Sequence, residues 1–185
     1  MQKILLDTDI GSDIDDSIAL AYLLCQPECE LAGITTVSGE PEQRARLASA
    51  ICTAAGKDIP IYSGTGAPMF TKQLQPRAPQ ADGIAAWPHR EDFAPNAAVA
   101  FMRDVIVQNP NEITLLAIGP LTNVALLFLT YPETAGLLKS VMLMSGNFYN
   151  RLDMPMNEWN VRCDPFASRV VYENRDIKKL YAVGL

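Results

Sequence analysis

Histidine is almost missing from this chain: His89 is the only one in 185 residues. Cysteine occurs four times, as Cys25, Cys29, Cys52 and Cys163, and no two form a Cys-x-x-Cys pair. Structural zinc sites draw on Cys and His at short, fixed spacings, so the composition argues against one. Cys25 and Cys29 are four apart, but Pro27 ends the helix that would have placed them on one face. Free thiols in a reducing cytosol follow. A basic surplus is also lacking: 15 Lys and Arg stand against 21 Asp and Glu, a net charge of −6. That balance disfavours a nucleic-acid binder, which needs cations to neutralise phosphates. Long apolar runs are absent too. The first is only Ile4-Leu5-Leu6, too short for a signal peptide or membrane helix, so a soluble cytoplasmic protein without a membrane partner is expected.

What is present is 49% apolar residues and 19% charged ones. That composition and length suit one domain with a sizeable core, over residues 1–185. Short apolar runs alternate with longer amphipathic ones. Strands are expected at Lys3–Leu6, Glu30–Thr36, Ile59–Tyr62, Glu112–Ile118, Val141–Met144 and Lys179–Val183. Helices are expected at Asp16–Leu24, Pro41–Ala55 (with Gly56 as its C-terminal stop), Ala97–Gln108, Leu121–Leu129 and Asp164–Glu173. Gly64 to Pro95 has no period and reads as a long loop, and Asn147–Asn157 as a polar one. The alternation predicts an α/β fold: a mostly parallel open sheet with helices on both faces. In such sheets ligands bind outside the carboxyl ends of the strands.

The turn after the first strand is therefore the place to look. Asp7, Asp9, Asp13, Asp15 and Asp16 put five carboxylates within ten residues. Asp15 can cap the following helix, and Gly11 permits a tight turn, but one cap needs one carboxylate. A hard cation with oxygen ligands, Ca²⁺ or Mg²⁺, answers the mutual repulsion. An EF-hand is excluded, because its fifth and twelfth positions fall on Gly11 and Ile18. An aspartate-nucleophile phosphatase, with Asp7 attacking, is a weak alternative, because Gly11 stands where it expects threonine or valine.

With these residues in place the sequence resembles the inosine–uridine preferring nucleoside hydrolase family. Asp7 to Asp16 is similar to its DTDxGxDD signature, and Ile34 to Gly39 to its ITTVxGN segment. Leu116 to Asn123 (LAIGPLTN), Met142 to Gly146 (MLMSG), and Glu158-Trp159-Asn160 with Cys163-Asp164-Pro165 match further motifs in order. The resemblance implies Ca²⁺-dependent cleavage of the N-glycosidic bond of ribonucleosides, giving ribose and a free base. It implies Asp9 as calcium ligand and general base, Asp16 as the main calcium ligand, and Asp15 at the metal and the 2′-hydroxyl. The Ile118 backbone carbonyl becomes a further ligand. Asn160 takes the 3′-hydroxyl, Glu158 the 5′-hydroxyl, and Met144 lines the ribose pocket. A homo-oligomer, dimer or tetramer, and a place in purine and pyrimidine salvage are implied as well.

Beside these roles stand plainer readings. Thr122 and Asn123 can simply cap a helix, Trp159 can pack in the core, Asp164 before Pro165 is an N-cap, and His89 is a surface residue. The chain also departs from the family. Its acidic turn is two residues longer, leaving Asp13 without a counterpart. Glu40 replaces an asparagine, and Asp82-Gly83 stands near the family's His-Gly. The family's later calcium-ligating aspartate and base-protonating histidine have no match, so the chain is expected to be the N-terminal portion of the family fold. A non-catalytic ribose- or nucleoside-binding module is the alternative function.

Overall fold

The structure, a computed structural model, describes residues 1–148 and 158–184. Among these residues fourteen elements are seen; strands and helices alternate broadly as expected, with two short helices, over residues 133–137 and 159–163, that were not expected. In order they are β1 (Gln2–Thr8), α1 (Asp15–Cys25), β2 (Cys29–Thr36), α2 (Pro41–Ala54), β3 (Ile61–Ser63), a 3₁₀ turn (Pro79–Gly83), α3 (Ala98–Gln108) and β4 (Ile113–Ala117). There follow α4 (Thr122–Thr130), α5 (Glu133–Leu137), β5 (Ser140–Met144), α6 (Trp159–Cys163), α7 (Pro165–Tyr172) and β6 (Leu180–Val183). The strands form one six-stranded sheet, ordered β3-β2-β1-β4-β5-β6, and every pairing is parallel.

Side chains alternate across this sheet, so neighbouring residues feed two cores. Leu5 joins Leu115, Val141 and Leu143 beneath α3, α4 and α7, where Met102, Ile106, Val124, Leu127 and Val171 close the layer. Leu6 points the other way and joins Ile34, with Leu20 and Leu23 of α1 and Ala45, Leu47 and Ala48 of α2. Helices on both faces explain why the central strands are apolar on both sides. Among the described residues, no helix is long and apolar enough to cross a membrane.

Local chemistry accounts for the boundaries. Gly56 adopts φ +67° just past α2; its N–H donates to the Thr53 carbonyl at 3.0 Å, and that of Lys57 to Cys52 at 2.9 Å, which closes the helix end. Pro60 lies immediately before β3, which is an edge strand as a proline there requires. Asp164 caps α7, accepting from Ala167 N–H, with Pro165 in the first turn. The cap expected of Asp15 is corrected. Ile14 occupies the cap position of α1 with no side-chain bond, and Asp15 and Asp16 are the first helical residues, where their charge suits the helix dipole. The cysteines are free thiols. Of the loop expected over Asn147–Asn157, residues 149–157 lie outside the described residues.

Candidate functional site

The strand order reverses between β1 and β4, and the crevice outside their carboxyl ends is where such sheets bind ligands. Asp9, Ser12, Asp13, Asp15 and Asp16 from the first turn face Ile118 after β4, Met144 at the end of β5, Glu158, Trp159 and Asn160 around the start of α6, and Gln75 from the long loop. Together they line a pocket of about 110 Å³. Sites that enclose a whole small molecule run to roughly 300–1,000 Å³, so this pocket suits part of a ligand, such as a sugar.

The acidic turn is held from within and from below. Thr8 Oγ1 donates to Asp16 Oδ1 and accepts from the Ile10 N–H at 3.1 Å. Asp7, fully buried, accepts at Oδ1 from Thr35 Oγ1 at 2.6 Å and from Asn123 Nδ2 at 2.8 Å, while its Oδ2 has no partner. Glycine at 119 is a steric requirement, since a Cβ there would lie 2.8 Å from both the backbone N and the Oδ1 of Asp9. That contact lets the β4 turn close against the acidic one. Across the pocket, Asn160 Nδ2 donates to the Ile118 carbonyl at 2.8 Å and to Met144 at 2.9 Å. Glu158 caps α6, accepting from Asn160 N–H at 2.8 Å, Val161 N–H at 3.0 Å and Gly146 N–H at 3.2 Å. A carboxylate offers about four lone-pair directions, and three are taken by these donors among the described residues.

Burial dominates the electrostatics. It pushes the Asp7 carboxyl up to about 7, against the hydrogen bonds from Thr35 and Asn123. Asp9 and Asp16 are both raised, first by burial; the charge of Asp9 adds to the effect on Asp16, and Arg44 opposes it at both. Two buried carboxylates that resist joint ionisation form a site that gains from an added cation. The donor chemistry (carboxylates and a backbone carbonyl) is that of a hard cation. Among the described residues, no three His, Cys, Asp or Glu side chains converge on one metal position. Asp9 and Asp16 are buried while Asp15 is exposed, which makes the set an open one.

Several expectations change. Asp7 is 0% exposed and tied beneath the turn, which removes the access a phosphatase nucleophile needs. Thr122 and Asn123 do not cap α4. Instead Thr122 Oγ1 donates to Asp164 Oδ2 at 2.8 Å. Asn123, fully buried, also donates to the Thr36 carbonyl at 3.0 Å and accepts from Thr65 N–H at 3.1 Å. Trp159 is 41% exposed rather than in the core, because its indole N–H reaches out to Gln75 Oε1 at 2.8 Å on the pocket rim. Glu40 turns away from the pocket to accept from Ala78 N–H at 3.0 Å. His89 and Asp82 lie on a separate cleft with Arg46 and Glu91. Sequence reasoning missed Gln75 and Arg44. Neither belongs to a motif, and only the folded long loop and α2 bring them to the acidic turn.

These features define an α/β protein with an acidic, oxygen-rich pocket at the reversal point of a parallel sheet. The family model described as inosine-uridine preferring nucleoside hydrolase matches residues 4–185. The non-specific ribonucleoside hydrolase RihC of Salmonella newport is 37% identical over 186 residues, covering 92% of this chain and 57% of that protein. Among solved structures, a purine-preferring ribonucleoside hydrolase from Gardnerella vaginalis superposes with a TM-score of 0.81 at 27% identity, covering 100% of this chain and 61% of that one. A plant nucleoside hydrolase, PpNRh1, gives 0.84 at 24% identity, covering 100% and 60%, and shares the fold. The chain belongs to the inosine–uridine preferring nucleoside hydrolase family. It spans 57% of the length of the curated relatives it matches.

Proposed function

We propose that this chain takes part in the Ca²⁺-dependent hydrolysis of ribonucleosides, in which water cleaves the N-glycosidic bond to give ribose and a free base. The observation that carries the reading is one pocket shared by the acidic turn, Ile118, Met144, Glu158 and Asn160, the residues of four separate family-like motifs. Residues 1–185 are read as one α/β domain of that enzyme.

Each residue then has a part. Asp9, Asp15 and Asp16 supply carboxylates for the cation, with the Ile118 carbonyl as a further oxygen. Calcium, when bound, chelates a cis-diol and makes a coordinated water easier to deprotonate. Asp9 takes the proton of the attacking water; burial has already raised its affinity for one. As the base departs, positive charge grows on the sugar ring, and the carboxylates of Asp9 and Asp16 stabilise it. Asp15, exposed at the rim, meets the 2′-hydroxyl. Asn160 has its amide nitrogen committed to Ile118 and Met144, so its carbonyl oxygen accepts from the 3′-hydroxyl. Glu158, oriented by three backbone N–H groups, accepts from the 5′-hydroxyl, and Met144 gives the sugar an apolar wall. A cytoplasmic role in nucleoside salvage and a homo-oligomeric assembly belong to the same reading. The exposed Ile14 at the start of α1, with Ile18 and Tyr22 on it, gives such an assembly an apolar surface.

The test is reducing-sugar release from inosine, uridine, adenosine and cytidine with added Ca²⁺. The reading expects sugar and free base in equal amounts. Ribose binding with no cleavage of any nucleoside would instead make this a binding module, and turnover of an aryl phosphate in Mg²⁺ would revive phosphoryl transfer.

A further inference from the structure

Arg44 is fully buried, yet it neither lines the pocket nor contacts a carboxylate through its hydrogen bonds. It projects from α2, and its guanidinium is spent on neutral oxygens of three segments far apart in sequence. Nε donates to the Ser38 carbonyl at 2.7 Å. Nη1 donates to the carbonyls of Asp9 and of Ile10 (3.1 Å) and to Ser12 Oγ at 3.0 Å. Nη2 donates to the Arg77 carbonyl at 3.2 Å. Ser38 holds a left-handed φ of +72° beside Gly39, so its carbonyl is presented by a fixed turn. The three anchors are thus the acidic turn, the β2–α2 turn and the long loop, which also reaches over the acidic turn where Gln80 N–H meets the Gly11 carbonyl at 3.0 Å.

We propose that Arg44 is a positioning residue that presets the acidic turn for cation binding and couples it to the loop around Arg77. The competing account is purely electrostatic. A positive charge near Asp9 and Asp16 repels a divalent cation, so on charge alone Arg44 weakens the site. The geometry favours the scaffold. Each nitrogen of the guanidinium is engaged, and charge-assisted bonds from a planar fork fix direction as well as distance. The repulsion is offset in part, because the guanidinium already faces the carboxylates of Asp9, Asp16 and Glu40. The fork, more than the charge, is therefore what the turn needs, and lysine is no substitute because an ammonium does not span three segments.

The calcium arm of the test rests on the reading under Proposed function; a second arm does not. Arg44→Met, Arg44→Lys and a remote core variant, Met102→Ala, are compared with the unaltered protein. Ca²⁺ affinity is measured by calorimetry, and amide hydrogen exchange is followed in EDTA. Both Arg44 variants should bind Ca²⁺ about tenfold more weakly or worse, equivalent to about 1.4 kcal/mol. In EDTA, residues 10–13 and 77–78 should exchange faster together while β4 keeps its protection, and Met102→Ala should do neither. Equal or tighter Ca²⁺ binding by Arg44→Met would overturn the proposal in favour of the charge account. Unaltered binding by Arg44→Lys, an equal loss in Met102→Ala, or unchanged exchange in the two segments would overturn it as well. If the unaltered protein binds no Ca²⁺, the calcium reading fails and the exchange arm alone decides the role of Arg44.

Discussion

Asp7 is the most exposed to test of the buried groups, because its protonation state is linked to folding. Its Oδ1 is satisfied by Thr35 and Asn123, and its Oδ2 has no partner. Burial raises its affinity for a proton from an ordinary 3.8 to about 7. The folded state thus holds a proton that the unfolded chain has lost, and in that window folding weakens as pH rises. The stabilising contribution is complete below about 3.8 and is lost progressively up to about 7. A difference of roughly three pH units corresponds to on the order of 4 kcal/mol. Asp7→Asn removes the titration while keeping the shape and the Oδ1 acceptor. Relative to the unaltered protein, the variant should gain stability between pH 4 and pH 8 by up to that amount. A pH-independent offset of about 1–3 kcal/mol against it is expected, since the amide adds a buried donor. For a chain of this size the full effect is a relative shift in Tm of roughly 8–16 °C. Urea unfolding of both proteins in EDTA, at pH 4, 6 and 8, reads it. A stability difference that stays constant across pH, or one that moves against Asp7→Asn as pH rises, would refute the reasoning.

Other outcomes follow from the same geometry. Gly119→Ala places a Cβ 2.8 Å from Asp9 Oδ1 and should destabilise the protein by about 1–3 kcal/mol while weakening Ca²⁺ binding, read by thermal melting and calorimetry. Asn123→Ala removes the bonds to Asp7, Thr36 and Thr65 from a fully buried site and should cost about 3 kcal/mol or more in urea unfolding. Because Asp9 and Asp16 are raised above the ordinary carboxylate range, Ca²⁺ must displace protons from them. Apparent Ca²⁺ affinity should therefore keep rising with pH well above pH 5, and Asp16→Asn should flatten that dependence.

The strands were legible because each is a short apolar run bounded by turn residues, and a sheet covered on both faces needs no alternation to betray it. The pocket's carboxylates were legible because they crowd one turn. Arg44 was not. On α2 it reads as one more charge on an amphipathic helix, and only the meeting of residues 9, 38 and 77 supplies the acceptors that allow its burial. The cap preference of its residue type suggested a cap for Asn123, but tertiary contacts with β1, β2 and the loop after β3 claim its side chain instead. The helix α6 is too short for any period to show. Its start is set by the Glu158 carboxylate, which gathers three N–H groups. The loop expected over 64–95 lies between β3 and α3, broken by the 3₁₀ turn, yet its part in covering the acidic turn depends on close approaches, such as Gly39 beneath Gln75, where a Cβ would lie 2.3 Å from the carbonyl oxygen.

Reducing-sugar release from a panel of nucleosides with added Ca²⁺, comparing the unaltered protein with Asp9→Ala, tests the central claim most directly. Ribose and base should appear in equal amounts, and Asp9→Ala should lower the rate by roughly 10²–10⁴-fold, as loss of a general base does. Release that is undiminished in Asp9→Ala, or no release from any nucleoside, would contradict it.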